Sequence, residues 1–383
     1  TLAAAASEGD PLRIGMVQSN IVDYERLRRE RGAYAVVREV LDTHFAMSRA
    51  AVEGGADVLL WSETVYPTTF GQAKSEDGAA LDDEIRAFVA NARVPLVFGT
   101  YDMDAAGEYN AAAFMAADGR LLGMYRKTHP FPLTEHVPSW LDSPALRRWM
   151  PWTGSWQAGN GARVFPLQLA DGREIPVVPL ICLDDVDVSL ALDGARLGAQ
   201  AIIGMSNDSW FSAHAQGAEL HLAVAAFRSI ETRLPQFRVT ANGISAVIDP
   251  AGTRLATTAI GQPALLTVAM PIRTPVRTLM VAWGNWLGAA ALTGLLLLAA
   301  AELWRLRRCR RRAAAPVAQA TPDRLEVLLL PPAMRVLLGL STLAAWAMLA
   351  WIGLRMLLRD GLQVNSLDQL QLFAFGVVLP TVC

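Results

Sequence analysis

From Thr278 to Ala301 the chain is almost wholly apolar, and it then runs into "ELWRLRRCRRR", where six arginines fall within eight positions. No other feature limits the fold as much. An apolar run of this length suits a helix crossing a bilayer, which needs about 20 residues. Basic residues at the end of a span stay on the cytoplasmic side, so the domain before it is expected outside. A helix buried in a soluble core is the competing reading, and it leaves the arginine run unexplained.

The rest of the chain is organised around that stretch. Residues 1–10 read as an N-terminal extension, 11–272 as a globular domain, 278–301 as the span and 302–332 as a basic linker. Further apolar stretches at 336–354 and 370–383 are expected to be a second span and the start of a third. The chain opens on Thr1 rather than Met and stops inside "LFAFGVVLPTVC", so we expect a fragment of a longer polypeptide.

Composition narrows the function classes. The 34 Lys and Arg against 36 Asp and Glu leave no basic surplus for nucleic acid. Three cysteines far apart offer neither a disulfide framework nor a paired zinc spacing. His129, His136, His214 and His221 lack the i, i+4 spacing of a metal-binding helix, and no glycine-rich phosphate loop is present. Neither a metal nor a cofactor is expected.

Within 11–272, short apolar runs alternate with segments of helical spacing. "LRIGMVQSNI", "ADVLLWSE", "VPLVFGTYD", residues 174–182 and "AQAIIGMSND" read as strands. Helices are expected over 33–53, 80–92, 186–198 and 216–232, and Asp118-Gly119 closes a hairpin within 108–127. "QFRVTANGISAVIDPAG" reads as two strands and a turn. The mixture predicts an α/β sandwich.

Three polar residues stand at predicted strand ends, where α/β proteins place catalytic groups. Glu63 follows a buried strand in "LLWSETVYP"; a surface glutamate capping the next helix is the plainer alternative. Lys127 enters a loop with prolines at 130, 132 and 138, a rigid setting for a merely solvated lysine. Cys182 closes an apolar run in "LICLDDV"; taken alone, it reads as a small buried hydrophobe. Together the three make a chemistry. A carboxylate can take the thiol proton, an ammonium can steady thiolate and oxyanion, and the sulfur can attack a carbonyl.

"WSETVYP", "YRKTHPFPLTEHVP" and "LICLDDV" resemble, in order and spacing, the Glu-Lys-Cys motifs of the nitrilase superfamily of carbon–nitrogen hydrolases. "NDSWF" at 207–211, "HLAVAAFRSIETRLPQFRVTANGISAVIDPAG" and "WGNWL" at 283–287 are similar to the bacterial membrane branch, the apolipoprotein N-acyltransferases. The resemblance covers roughly residues 11–290.

It implies a nitrilase-like αββα sandwich followed by C-terminal transmembrane helices, in a multi-pass protein of the bacterial inner membrane with its catalytic domain on the periplasmic side. Cys182 would take an acyl chain from a phospholipid as a thioester and pass it to the amine of a lipoprotein's diacylglyceryl-cysteine. Glu63 would be the base, Lys127 the oxyanion-stabilising cation and Glu135 a second carboxylate assisting the site. Leu183 and Asp184 stand where the family usually has tyrosine and glutamate, and Tyr24 is the nearest aromatic to a tryptophan the family commonly carries.

Asp184 is therefore expected to support the site, while Asn207 and Trp210 either line the pocket or shape their loop. "VPSWLDSPALRRWMPWTGSWQ" concentrates Trp140, Trp149, Trp152 and Trp156. Such density suits a membrane interface, with Trp149 and Trp152 as lipid-contacting candidates, and equally suits packing onto the domain. Two other functions stay open on the same residues: a membrane-anchored amidase using water as acceptor, and a non-catalytic binder of lipid or lipopeptide.

Overall fold

A computed structural model describes residues 10–22, 24–211 and 215–313. The chain divides into two compact units, the first ending at Asn285 and the second starting at Trp286.

The first unit is built on two six-stranded sheets. One has the order β12-β1-β2-β3-β4-β5, from strands β1 (Pro11–Gln18), β2 (Val58–Trp61), β3 (Leu96–Asp104), β4 (Gly107–Met115), β5 (Leu121–Arg126) and β12 (Ala264–Pro271). The other has the order β11-β10-β9-β8-β7-β6, from β6 (Phe165–Gln168), β7 (Glu174–Ile181), β8 (Ala201–Ser206), β9 (Gln236–Thr240), β10 (Ala246–Ile248) and β11 (Arg254–Thr257). Each sheet has a parallel centre, β1-β2-β3 in one and β7-β8-β9 in the other, with antiparallel flanks. These central strands are buried on both faces, which is why their sequences run apolar without alternating.

Side-chain alternation then builds four layers. Ile14, Met16, Leu60, Val97 and Phe114 from one sheet meet Ile181, Ile203, Met205 and Phe237 from the other in the central core. The opposite faces of the first sheet, through Val17, Leu59 and Trp61, pack on Val40 and Phe45 of α2 (Ala33–Glu53) and on Leu81 and Ile85 of α3 (Glu76–Ala92). Val178, Leu180 and Ile202 face Leu190 and Ala191 of α5 (Val188–Arg196). The result is the expected αββα sandwich.

Local details follow the sequence closely. Ser75 caps α3 by accepting from the Gly78 N–H, and the helix starts four residues earlier than the apolar spacing indicates. The expected hairpin turns at Gly119 with φ of 82°. A short helix, α1 (Tyr24–Arg31), was not expected there; its mostly charged residues carry little apolar periodicity.

The helix expected over 278–301 is instead two. α7 (Leu279–Trp283) belongs to the first unit, where Val281 is buried and its carbonyl accepts from Arg196 Nε at 2.8 Å. Gly284, at φ 73°, ends it. In the second unit, α8 runs from Trp286 to Ala313, and its segment Gly288–Arg308 is the one helix among the described residues long and apolar enough to cross a membrane. The stretches at 336–354 and 370–383 lie outside the described residues.

Candidate active site

Three strand ends bring Glu63, Lys127 and Cys182 to one place. Glu63 stands two residues past β2, and its backbone rests directly on β3. A Cβ on Gly99 would overlap the Ser62 carbonyl and the Thr64 nitrogen and lie 2.7 Å from Glu63 Cα. Glycine there is what permits the approach. Lys127 follows β5 and is pinned through its backbone: its N–H donates to the Asn110 carbonyl and its carbonyl accepts from Gly159, both at 2.8 Å. Cys182 opens a 3-10 turn (Cys182–Val186) directly after β7, with φ of 50°. A non-glycine residue in that region carries strain of about 1–3 kcal/mol.

The side chains form a closed charge cluster. Lys127, 1% exposed, places Nζ 2.9 Å from Glu63 Oε1 and 2.8 Å from Glu135 Oε2. Asn110, on β4, donates from Nδ2 to the same two carboxylates, at 2.8 Å to Glu63 and 3.1 Å to Glu135. The Asn207 N–H donates to Glu63 Oε2 at 2.7 Å, and the Phe131 N–H to Glu135 Oε2 at 2.6 Å. Glu135 therefore shares the lysine and the amide with Glu63.

Burial governs the electrostatics. It disfavours the Lys127 charge, but the Glu135 and Glu63 carboxylates outweigh it and hold the ammonium well above its usual range. It pushes the Cys182 thiol well above its usual range; Glu63 adds to that and Lys127 offsets part of it. At neutral pH the sulfur thus rests as a thiol beside a carboxylate and a fixed positive charge. Such a group acts as a nucleophile when the carboxylate takes its proton.

The other expected residues have different surroundings. Asp184 is fully buried and accepts from four donors: the backbone N–H groups of Ile181 at 3.1 Å, Thr128 at 3.2 Å and His129 at 2.8 Å, and the Tyr125 hydroxyl at 2.8 Å. It ties the cysteine turn to the lysine loop. Burial pushes its carboxyl up to about 6, against the pull of Lys127 and these hydrogen bonds. Asn207 serves Glu63 through its backbone, while its side chain accepts from the Ser209 N–H at 3.3 Å. Trp210 lies in the turn Asp208–Phe211, and its side chain is outside what is described. Trp140 and Trp149 are exposed, at 82% and 70%, while Trp152 is half-buried and Trp156 packs against Tyr101 with the rings tilted by 58° and 4.5 Å between centroids.

Asn110 was missed from sequence. Its signal was available, since "YNAAAFM" sets one amide in an otherwise apolar strand, but only the fold shows which groups it meets. The buried cluster of Asp185, Asp208, His221 and Arg238 beneath the cysteine turn was missed too, its members being scattered over more than 50 residues.

The family model for carbon-nitrogen hydrolases matches residues 13–274. Similar curated proteins include apolipoprotein N-acyltransferase 2 of Treponema denticola, 27% identical over 258 residues, which are 65% of this chain and 49% of that protein. The apolipoprotein N-acyltransferase of Gloeobacter violaceus is 29% identical over 307 residues, 77% of this chain and 54% of that one. The chain thus spans about half the length of the curated relatives it matches. Among solved structures, an amidase from Nesterenkonia sp. AN1, with the acetamide moiety of fluoroacetamide added covalently at its active-site cysteine, aligns at TM-score 0.49 and 18% identity over 70% of this chain and 93% of that one.

Proposed function

The chain belongs to the carbon–nitrogen hydrolase family, and from that membership we propose that it is an acyl-transferring member with phospholipid as donor and a diacylated lipoprotein as acceptor. The observation that carries this reading is the buried cluster of Glu63, Lys127 and Glu135 beside Cys182. The curated relatives named as apolipoprotein N-acyltransferases support the choice of reaction.

Glu63 takes the Cys182 proton as the sulfur attacks the ester carbonyl of a phospholipid. The oxyanion forms against the Lys127 ammonium, and Glu135 holds that ammonium from its other side. The carbon–oxygen bond breaks, Glu63 returns the proton to the leaving alkoxide, and a thioester remains. The amine of the acceptor's diacylglyceryl-cysteine then attacks, with Glu63 taking one amine proton. Breaking the carbon–sulfur bond releases the amide, and Glu63 reprotonates the thiolate. No water enters the cycle.

The segment Gly288–Arg308 anchors the domain in the bacterial inner membrane, and the arginines at its end face the cytoplasm, leaving the catalytic unit on the periplasmic side. Exposed Trp140 and Trp149 meet the lipid surface.

Labelled phospholipid with a diacylated lipopeptide tests the proposal. Labelled triacylated product is expected, with a one-acyl mass increase on Cys182 that is absent from Cys182→Ser. Free fatty acid without triacylated product would replace the transferase reading by hydrolysis. An unmodified Cys182 would remove the nucleophile.

A further inference from the structure

The cysteine turn is strained, and something must hold it. Cys182 sits at φ 50°, a conformation that side chains other than glycine seldom adopt. Its carbonyl faces a ring on another element. His221, on α6 (Ala215–Thr232), places Nε2 3.3 Å from the Cys182 carbonyl oxygen. That ring is 1% exposed and is fixed from its other side: Nδ1 lies 3.1 Å from Asp208 Oδ1 and 3.0 Å from Arg238 Nη2.

Each partner is anchored in turn. Asp208 accepts from Ser206 Oγ at 2.6 Å and from Arg238 Nη2 at 3.3 Å. Arg238, fully buried on β9, donates from Nη1 to the Ile244 carbonyl at 2.9 Å. Asp185, within the cysteine turn, faces both side chains, with Oδ2 3.6 Å from Arg238 Nε and 3.7 Å from His221 Nε2. Even the loop after β9 is shaped to admit the cluster, since a Cβ on Gly243 would overlap the Asp208 carboxylate. Burying four ionisable groups is costly unless the geometry does something that an apolar core would not.

We propose that His221, oriented by Asp208 and Arg238, is a positioning residue that clamps the Cys182 carbonyl and so keeps the nucleophile in its left-handed turn, facing Glu63 and Lys127. The ring touches no reacting atom; it acts through the backbone of the cysteine. This rests on Cys182 being the nucleophile, so its test must separate the two ideas.

Two measurements on the full chain in detergent do so. The first is the rate of iodoacetamide alkylation of the Cys182 peptide, read by mass. His221→Leu, which keeps bulk but has no donor, is expected to slow alkylation at least tenfold. His221→Gln, whose amide can still donate to the carbonyl, is expected to stay within about threefold of the parent. The second is a thermal double-mutant cycle with Cys182→Gly, which removes the conformational penalty. If the clamp imposes the strain, glycine raises Tm less in the His221→Leu background than in the parent, whereas a ring that only fills space gives additive shifts.

Alkylation of His221→Leu at the parent rate, or equal glycine effects in both backgrounds, overturns the proposal. Should His221→Leu fail to fold, Asp208→Asn loosens the ring instead: alkylation slowed at least threefold supports the clamp, and an unchanged rate rejects it. A parent protein whose Cys182 resists alkylation altogether defeats the nucleophile reading, and the thermal cycle still decides the clamp.

Discussion

The backbone N–H of Asn207 donates to Glu63 Oε2 at 2.7 Å, joining the residue after β8 to the second residue past β2 across the two sheets. Glu63 is therefore fixed by both halves of the sandwich. Its position depends on sheet packing as much as on its own loop, and so do the consequences of disturbing its neighbours.

Lys127→Met should be the most damaging substitution in the cluster. It removes the cation that both Glu63 and Glu135 face and leaves two carboxylates held together by one amide. Breaking a buried ion pair from one side costs about 3–5 kcal/mol. A denaturant titration should show a loss of that size, along with loss of acyl transfer. A stability change below about 1 kcal/mol would mean that the cluster is not formed in solution.

Asn110→Leu tests the residue that sequence reading missed. Both amide hydrogens are used on carboxylates, so the substitution leaves the buried Glu63 and the partly buried Glu135 each short of a donor. We expect a destabilisation of about 1–3 kcal/mol and a kcat at least tenfold lower, with KM for phospholipid little changed. Wild-type turnover in the variant would show that Lys127 alone arranges the two acids.

Gly99→Ala adds a single methyl group against the backbone that carries Glu63. Overlap with Ser62 and Thr64 forces that strand end to move, at a cost of about 1–3 kcal/mol. Activity should fall more than stability, because the displaced residue is the proposed base. Parallel thermal melts and acyl-transfer assays compare the two effects.

The His129–Asp187 pair, 2.7 Å apart, gives a pH dependence. Hydrogen bonding to Asp187 raises the imidazole above its ordinary value of 6.5, and hydrogen bonding to His129 lowers the carboxyl to about 2. The raised base contributes stability that is present below 6.5 and lost as pH rises through its folded value. The lowered acid contributes stability that is present above 3.8 and lost as pH falls toward 2. The pair is thus at full strength between about pH 4 and 6.5. In Asp187→Asn, the His129 resonances should titrate at lower pH than in the parent; an unshifted midpoint would show the pair to be open in solution.

Much of the molecule was legible as sequence because the signals are local. Apolar runs marked β2, β3, β7 and β8, and helical spacing marked α2 and α6. The family motifs likewise pointed to Glu63, Lys127 and Cys182 at strand ends and to Glu135 in the loop after β5, all short-range patterns. The break at Gly284 was less legible, since an apolar sequence looks alike whether its side chains face a protein or a lipid.

What only the tertiary structure decided is which polar groups share the buried space. Asp184 sits two residues from Cys182, yet its four donors come from Ile181, from Tyr125 on β5 and from Thr128 and His129 in the loop that follows. His221 reaches Cys182 across 39 residues, and Asn110 meets Glu63 across 47. Periodicity tells a chain which face of each strand to bury. Hydrogen bonds between strand ends depend on how two sheets stack and register, and that arrangement exists only once the core between them has formed.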